Sequence, residues 1–407
     1  MASDQTPFQP EALKPLASGS NAFGLKLLQS IEEKNTNCAL SPISIACALG
    51  MLYLGAEDRT AQQLAEVLGF SKTPSEVETW FHNLQAYANI LSHAGDPSVD
   101  SDSQLLVDEA SGDLVLKLAN AIWGQKEYPF RPEYIERVKK AFSAHVENMQ
   151  FLPTPEVAIE MINQWVSKHT HGRIREIMDE NLPWGFVRLI LTNALYFKGS
   201  WEHQFNEADN AKEPFNLADG STGEAEFMRQ EETFGYYHSE EKDFKALEMK
   251  YVYGSLSMMV ILPGKNDGLP TLEKWLTGER LEKLCKKMRW KPVKVIFPKF
   301  LIENQFSLNE TLTALGAGDV FDQGKADIPG IAEIEPVWVS EVLHKVWIDV
   351  NEKGTEAAAV TAVMTAMGID DSEPPAPEVF CADHPFLFCI RDRATGLVYF
   401  LGRVVSP

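Results

Sequence analysis

The stretch GTEAAAVTAVMTAM, residues 354–367, separates the strand-like run KVWIDV (345–350) from an acidic segment rich in proline. Its side chains are small and almost uncharged, whereas an exposed linker is normally more polar and a core helix carries larger apolar residues at helical spacing. If the segment is a β-strand, alternate residues point to opposite faces, and both faces then carry small side chains. This suits a strand that slides between two others. Gly354 supplies a backbone hinge at its start. Taken alone, the segment is equally typical of an alanine-rich surface helix.

The rest of the chain places its helices mostly first and its strands mostly later. Helical spacing is found at 18–34, after Ser41-Pro42, from Thr60 as an N-cap, and at 155–172. Strand-like runs occupy 114–124, 187–197, 255–263, 293–300, 345–352, 385–390 and 397–405. This order predicts an α+β protein with large, mostly antiparallel sheets. At about 100–200 residues per domain the length suggests several domains, but no repeat or linker divides residues 1–407, so we expect a single unit.

The formal net charge is −21 and the sequence pI is about 4.9. Such a field repels nucleic acid and anionic membrane surfaces, so the sequence argues against both as partners. No run approaches the roughly 18 apolar residues of a membrane span. A local basic cluster within 280–294 is more typical of a solvated helix face than of an anion or glycosaminoglycan site. The residues of that alternative anion site are Lys283, Lys286, Lys287 and Arg289.

Five cysteines are present, an odd number without a Cys-x-x-Cys pair. Free thiols in a reducing compartment explain this pattern better than a disulfide framework. The N-terminal residues 1–16 show no charged start followed by an apolar run, so no secretory signal is visible. We therefore expect a cytoplasmic protein, or one released without a classical signal peptide.

Motifs of enzyme chemistry are absent from the sequence. Neither the Gly-x-Ser-x-Gly elbow nor the zinc pattern His-Glu-x-x-His occurs. His169 and His171 are two residues apart at the end of a predicted helix and point in different directions. The run 318–325 resembles a phosphate loop but is one residue too long, and Ala326 stands where a hydroxyl is needed. The sequence therefore predicts no catalysis, no metal and no cofactor.

Several motifs of the chain resemble those of the serpin family, and they occur in that family's order over nearly the whole length. The start of the family's reactive loop is matched nearly residue for residue by Glu352, Lys353, Gly354, Thr355, Glu356, Ala357, Ala358, Ala359, Val360 and Thr361. The other motifs are Asn37-x-x-x-Ser41-Pro42-x-Ser44-Ile45, Ile162-Asn163-x-Trp165-Val166, Thr192-Asn193-Ala194-Leu195-Tyr196-Phe197-Lys198-Gly199-x-Trp201, His384-Pro385-Phe386 and Gly402-Arg403-Val404-Val405-x-Pro407. The chain looks most similar to the intracellular, signal-less, ovalbumin-like members.

The resemblance implies a serpin fold with three β-sheets, eight or nine helices and an exposed reactive loop at about 352–383. It implies a monomeric inhibitor and not an enzyme, whose partner is a target serine or cysteine protease. The protease attacks the loop and forms an acyl-enzyme, and the cut loop then enters the central sheet and traps the protease. Strand addition and strain release of this kind are general properties of the family.

The resemblance also assigns roles to individual residues. Residues 352–361 form the hinge, and a polar "shutter" beneath the sheet opening holds the sheet closed until insertion. The shutter residues are Ser41, Ser44, Asn193 and His344. A charge at position 355 would cost several kcal/mol on insertion, so Thr355 and the alanine run favour inhibition. The alternative is a non-inhibitory serpin with a binding, storage or chaperone role.

The target class follows from the residues at the bond to be cut. The family's usual spacing places this bond between Gly368 and Ile369, whereas side-chain chemistry favours the bond between Met367 and Gly368. Met367 suits chymotrypsin-, elastase- or cathepsin-G-like enzymes. An aspartate-directed enzyme at Asp370 would make the inserting segment too long. No Lys or Arg occurs from 354 to 390, which argues against a trypsin-like target.

Overall fold

A computed structural model describes residues 10–70, 73–92, 114–334, 336–355 and 376–407 of the protein. Nine α-helices lie within these ranges. They are α1 Lys14–Ser30, α2 Pro42–Tyr53, α3 Asp58–Leu68, α4 Pro74–Ser92, α5 Pro132–Phe142, α6 Pro155–His169, α7 Leu269–Trp275, α8 Gly278–Lys287 and α9 Asn309–Leu315. Among the described helices, none is both long and apolar enough to cross a lipid bilayer.

Local sequence signals explain several helix boundaries. Ser41 caps α2 by accepting a hydrogen bond from the Ser44 N–H, and Pro42 occupies the first turn, where its missing N–H costs least. The prediction of Thr60 as the N-cap of α3 is wrong, because the helix begins at Asp58. Thr60 is instead buried in the first turn, and its hydroxyl accepts a hydrogen bond from the Asp327 N–H over 3.0 Å.

The described residues also form fifteen strands. They are β1 Cys38–Leu40, β2 Leu114–Gln125, β3 His145–Met149, β4 Leu189–Ser200, β5 Ala211–Asn216, β6 Thr222–Ser239, β7 Phe244–Lys250, β8 Leu256–Pro263, β9 Arg289–Pro298, β10 Phe300–Ser307, β11 Val339–Asn351, β12 Gly354–Thr355, β13 Glu378–Cys381, β14 Phe386–Asp392 and β15 Val398–Val404.

The strands form three sheets. The first is separate, and the second and third are joined through one long strand, β6. The first sheet has the order β10-β11-β12-β4-β2-β3. The remaining strands follow the path β1-β15-β14-β8-β7-β6-β9-β13, with β5 added to β6. The long β6 joins the second and third sheets, because it pairs with β5 and β9 along one part and with β7 along its end. The predicted α+β fold with three sheets is therefore confirmed.

Helix α2 lies between the sheets and is buried at every position. It contacts β2 and β4 of the first sheet, β15 of the other, and the helices α1 and α3, so its apolar composition reflects burial on all sides. A second apolar cluster lies on the opposite face of the first sheet, where α6 packs. Ile162 and Val166 of α6 belong to this cluster with Trp123, Ala194 and Leu343 of the sheet. The first sheet is thus covered on both faces.

Candidate functional site

The candidate functional site is the seam between β4 and β11 in the first sheet. These strands pair in parallel from Leu189–Val339 to Leu195–Val346. Beyond that point they diverge, and β12 lies between them. Gly354 and Thr355 pair antiparallel with Ser200 and Gly199 of β4 and with Asn351 and Val350 of β11. The seam is closed along its lower part and already holds the first two residues of a new strand at its upper end.

Gly354 occupies a position that only glycine fits. Its φ is +148°, which L side chains rarely adopt, and an added Cβ would lie 2.0 Å from the Gly199 carbonyl oxygen. The close backbone approach of β12 to β4 therefore depends on this residue. The hinge role that the resemblance assigns to Gly354 stays a prediction.

Thr355 is 1% exposed and points into the core of the molecule. Its hydroxyl oxygen lies 2.8 Å from the hydroxyl oxygen of Tyr251, and burial raises the pKa of Tyr251 well above its usual range. The Tyr251 ring stacks on Trp201 with the centroids 4.5 Å apart. Trp201 in turn donates its indole N–H to the Asn351 carbonyl over 3.0 Å. We name Trp201, Tyr251, Asn351 and Thr355 the hinge clamp.

Glu352 fixes the turn that leads into β12. It is 5% exposed, and its carboxylate lies 3.0 Å from Lys299 Nζ and accepts a hydrogen bond from the Asn210 amide. Desolvation opposes the charged form, but the hydrogen bonds from the backbone, Lys299 and Asn210 outweigh it and lower the pKa of Glu352. The backbone N–H groups of Trp201 and Phe205 donate to the carbonyls of Lys353 and Glu352, each over 2.9 Å.

The four predicted shutter residues meet in the middle of the seam. His344 is fully buried and lies opposite Asn193 in the β11–β4 register. Its Nε2 accepts from the Ser41 N–H over 3.0 Å, so Nδ1 carries the proton and donates to Asn193 Oδ1 over 2.7 Å. The Asn193 amide donates to the Ser44 carbonyl over 2.6 Å. Burial lowers the pKa of His344 to about 3, so the ring is neutral at physiological pH.

The four predicted shutter residues are joined by a buried residue that the sequence analysis missed. The Asn193 amide also donates to Asn120 Oδ1, and Asn120 is 2% exposed in β2. The available signal was an uncharged polar residue inside the apolar run LANAIWG, residues 118–124. A buried amide on a strand needs partners, so its position marks a polar site. Tyr251, Lys299 and Asn210 were missed as well, and no local pattern singles them out.

Helix α6 and the segment that follows it lie across the lower seam. Asn163 of α6 accepts hydrogen bonds from the N–H groups of Ile177 and Met178 over 2.8 and 2.9 Å. Lys345 of β11 donates to the Glu176 carbonyl over 2.8 Å, and Gln305 of β10 donates to the Ile177 carbonyl over 3.1 Å. Strands β10 and β11 are therefore hydrogen-bonded to the segment after α6. This segment covers the sheet and would have to move if β4 and β11 separated.

The other predicted residues lie either outside the described ranges or in the basic cluster. The hinge residues 356–361 and the candidate bond residues Met367, Gly368 and Ile369 lie outside the described residues. In the basic cluster, Lys283 and Lys286 each pair with a glutamate one helical turn away at 2.5 Å, and Lys287 lies 5.4 Å from the Tyr237 ring. These are the contacts that a solvated helix face predicts, and the anion site stays a prediction.

The described cysteines and acidic groups show no metal or disulfide chemistry. All five cysteines are unpaired, and burial raises the pKa of Cys38 to about 11 and that of Cys389 to about 12. Within the described ranges, no cluster of His, Cys, Asp and Glu has the geometry to hold a metal ion. The chemistry of the site lies in the backbone pairing and hydrogen bonds of the seam.

Comparisons with known proteins agree with this geometry. The family model described as "Serpin (serine protease inhibitor)" matches residues 18–407. Human leukocyte elastase inhibitor is 34% identical over 403 residues, covering 97% of this chain and 100% of that protein, and human Serpin B3 is 36% identical over 401 residues with the same coverage. The crystal structure of uncleaved ovalbumin superimposes with a TM-score of 0.82 at 29% identity, covering 96% of this chain and 100% of that one. The chain therefore belongs to the serpin family.

Proposed function

We propose that this serpin inhibits a protease by presenting the segment around 352–383 as a substrate and inserting the cut segment between β4 and β11. The observation that carries the proposal is the position of Gly354 and Thr355, which already occupy the upper end of the seam. Insertion then extends an existing strand and needs no new nucleus. The protein acts as a monomer and a single unit, without cofactor and without catalytic activity of its own.

The register of β12 defines the path of insertion. Thr355 lies opposite Gly199 and Val350, so a continued strand places Thr361, six residues later, opposite both Asn193 and His344. The strands must move apart by one further strand spacing, about 4.8 Å. This breaks the hydrogen bond between His344 and Asn193, and the Thr361 hydroxyl offers both residues a new partner. The shutter thus resists insertion until cleavage frees the segment.

Side-chain size along the segment suits this path. Thr355 faces Tyr251 and the core, so alternate residues after it face the core as well. These residues are Ala357, Ala359, Thr361, Val363 and Thr365. They are small or β-branched and uncharged, so their burial leaves no unpaired charge. The absence of charge on this face favours an inhibitor over a storage, carrier or chaperone protein.

The covalent step proceeds as in ordinary proteolysis. The protease serine or cysteine attacks the carbonyl carbon of the residue before the cut, the peptide C–N bond breaks, and the new amine takes a proton and leaves. Insertion moves the acylated segment by roughly 45–50 Å, taking about 14 residues at about 3.3 Å each. The displaced and distorted protease does not complete hydrolysis of the acyl bond.

The target we propose is a chymotrypsin- or elastase-like serine protease. The lack of Lys and Arg from 354 to 390 supports this, as do relatives named leukocyte elastase inhibitor. Either Met367–Gly368 or Gly368–Ile369 is the bond cut. The free cysteines fit action in the cytoplasm, or after release without a classical signal.

A protease panel read on denaturing gels tests the proposal. We expect an SDS-resistant complex with an elastase- or chymotrypsin-like enzyme, and mass spectrometry of the released C-terminal peptide to identify the bond. Cleavage of the loop should also raise the melting temperature sharply, since insertion completes the sheet. A clean cut with an unchanged melting temperature would establish the non-inhibitory alternative.

A further inference from the structure

The next residue to enter the seam after Thr355 is Glu356, and the inference drawn from it rests on the proposed function. Glu356 carries the only formal charge among residues 355–367. If the strand continues in the register of β12, this residue lies opposite Lys198 of β4 and Asp349 of β11. The first step of insertion therefore places a carboxylate between a cation and a second carboxylate.

The three charged side chains share one face of the sheet. Thr355 points into the core, and successive residues of a strand point to opposite faces. Glu356, Lys198 and Asp349 therefore point to the outer face, which α6 covers further down the seam. Directly opposite residues of neighbouring strands have Cβ atoms about 4.5–5.5 Å apart. The Lys198 ammonium group can thus reach the carboxylate of the entering residue.

Lys198 is available for this contact before insertion. Its side chain is half-buried, and no ion pair or side-chain hydrogen bond between described residues involves it. Its partner in β2 is Val115, which offers no charge. By contrast, Lys117 on the same face lies with its Nζ 3.0 Å from His171 Nε2. Lys198 is therefore a cation beside the seam whose first partner within reach is the entering segment.

Asp349 opposes the entry of Glu356. It is half-buried, and burial raises its pKa, although the cations Arg173 and Lys299 act in the opposite direction. Like charges directly opposite each other on neighbouring strands are destabilising. The strand β11 therefore repels the entering carboxylate, and this repulsion has to be offset from the β4 side.

We propose that Lys198 is a positioning residue for insertion, which binds the Glu356 carboxylate as the segment enters the seam and offsets the repulsion from Asp349. This contact forms early, because Glu356 precedes Thr361, the residue that reaches the shutter, by five residues. It speeds the first step of insertion, which competes with hydrolysis of the acyl-enzyme. A cross-strand ion pair on a partly exposed face changes such a rate by about two- to fivefold.

The test uses Lys198→Met in the full-length protein, with a protease that the wild type traps. Lys117→Met is the matched control, because Lys117 is also a half-buried cation of the outer face but lies on β2, which β4 separates from the seam. The measurement is the ratio of inhibitor cut as a substrate to inhibitor in the SDS-resistant complex. We expect this ratio to rise about two- to fivefold for Lys198→Met and to stay at the wild-type value for Lys117→Met.

Charge variants separate an ion pair from a merely structural role of Lys198. Lys198→Arg keeps the charge and should trap protease better than Lys198→Met. In a Glu356→Gln background, Lys198→Met should have no further effect, because the charge that Lys198 binds is gone. Asp349→Asn should restore trapping to Lys198→Met by removing the repulsion. Lys198→Glu combined with Glu356→Lys should insert at least as fast as the wild type, since both neighbours then attract the entering cation.

The outcomes separate this inference from the function on which it rests. If the wild type forms no SDS-resistant complex, the inhibitory function fails and the role of Lys198 fails with it. If the wild type traps protease and Lys198→Met gives the wild-type ratio, only the role of Lys198 is overturned. An equal rise for Lys117→Met, or an undiminished effect of Lys198→Met in the Glu356→Gln background, overturns it as well. Should Lys198→Met melt at a lower temperature before cleavage, the charge exchange decides, because a folding defect is not repaired by a change at position 356.

Discussion

The upper and middle parts of the β4–β11 seam differ in what holds them. At the upper end, β12 separates the strands, and the hinge clamp fixes Thr355 through Tyr251. In the middle, His344 and Asn193 join the same two strands directly. The upper contacts stabilise an opened sheet, and the middle contacts stabilise a closed one. On the proposed mechanism, the seam would therefore hold both the start of insertion and the contacts that oppose its completion, only a few residues apart.

The largest expected effect comes from placing a charge in the hinge clamp. Thr355→Arg puts a guanidinium against the buried Tyr251, which costs several kcal/mol without a partner. We expect the variant to be cut as a substrate, without an SDS-resistant complex and without the rise in melting temperature. Thr355→Val keeps the volume and loses one hydrogen bond, about 1 kcal/mol, so it should still inhibit. A Thr355→Arg protein that traps protease normally would show that the upper seam does not start insertion.

Removing the histidine of the shutter should produce the next largest effect. His344→Gln leaves buried partners at Ser41 and Asn193 without good geometry, which costs about 3 kcal/mol. We expect a lower melting temperature and earlier opening of the sheet on warming. The control is His384→Gln, because His384 is also buried with two hydrogen bonds but lies away from the seam.

His344 also makes the free energy of unfolding depend on pH in the acid range. Its folded pKa of about 3 lies below the unfolded value of about 6.5, so the unfolded chain binds more protons between these pH values. Stability is present above pH 6.5 and is lost as the pH falls toward 3, by at most about 1.4 kcal/mol per pH unit. Denaturant unfolding at several pH values checks this. A slope that persists in His344→Gln would assign it to other groups.

The turn into β12 should respond more weakly. Glu352→Gln keeps the shape but removes the charge that faces Lys299, and we expect a loss of about 1–2 kcal/mol at neutral pH. Because the pKa of Glu352 is lowered in the folded state, its stabilisation is present above the unfolded value and is lost as the pH falls through the folded one. The comparison variant is Glu303→Gln, whose pair with Lys345 is half exposed and contributes less.

The smallest expected effect is at Asn120. Asn120→Ala removes one acceptor from the Asn193 amide, which keeps the Ser44 carbonyl, and also removes an amide nitrogen that has no partner. We expect a loss of at most about 1 kcal/mol. Asn193→Ala breaks the contacts to His344, Ser44 and Asn120 together and should cost clearly more in denaturant unfolding. Equal losses would mean that Asn120 matters as much as the central pair.

Sequence reasoning reached the seam because its motifs are local. The shutter members Ser41, Ser44, Asn193 and His344 stand within recognisable runs, and the structure brings them together. The alternation of small residues after Gly354 predicted a strand that could insert. It did not predict that Gly354 and Thr355 already pair with both strands, because that depends on how closely the Gly354 backbone approaches the Gly199 carbonyl, which no sequence pattern encodes.

The contacts that escaped prediction join distant parts of the chain. Tyr251 meets Thr355 across 104 residues, and Lys299, between β9 and β10, meets Glu352. Such pairs arise from tertiary packing, and single-sequence periodicity carries no information about them. The failed N-cap at Thr60 has the same origin, since its hydroxyl serves the Asp327 backbone and not its own helix.

The order of the strands along the chain has a consequence for biosynthesis. Strands β14 and β15 lie inside their sheet between β8 and β1, yet they follow the reactive segment in sequence. During translation, at about 5–20 residues per second, the seam and the segment emerge before the strands that anchor the segment's far end. Until β14 and β15 have been made, the far end of the segment is not anchored, and this anchor would not oppose insertion of the whole segment. If the proposed function holds, we expect that fast docking of β14 and β15 keeps the newly made protein from inserting the segment.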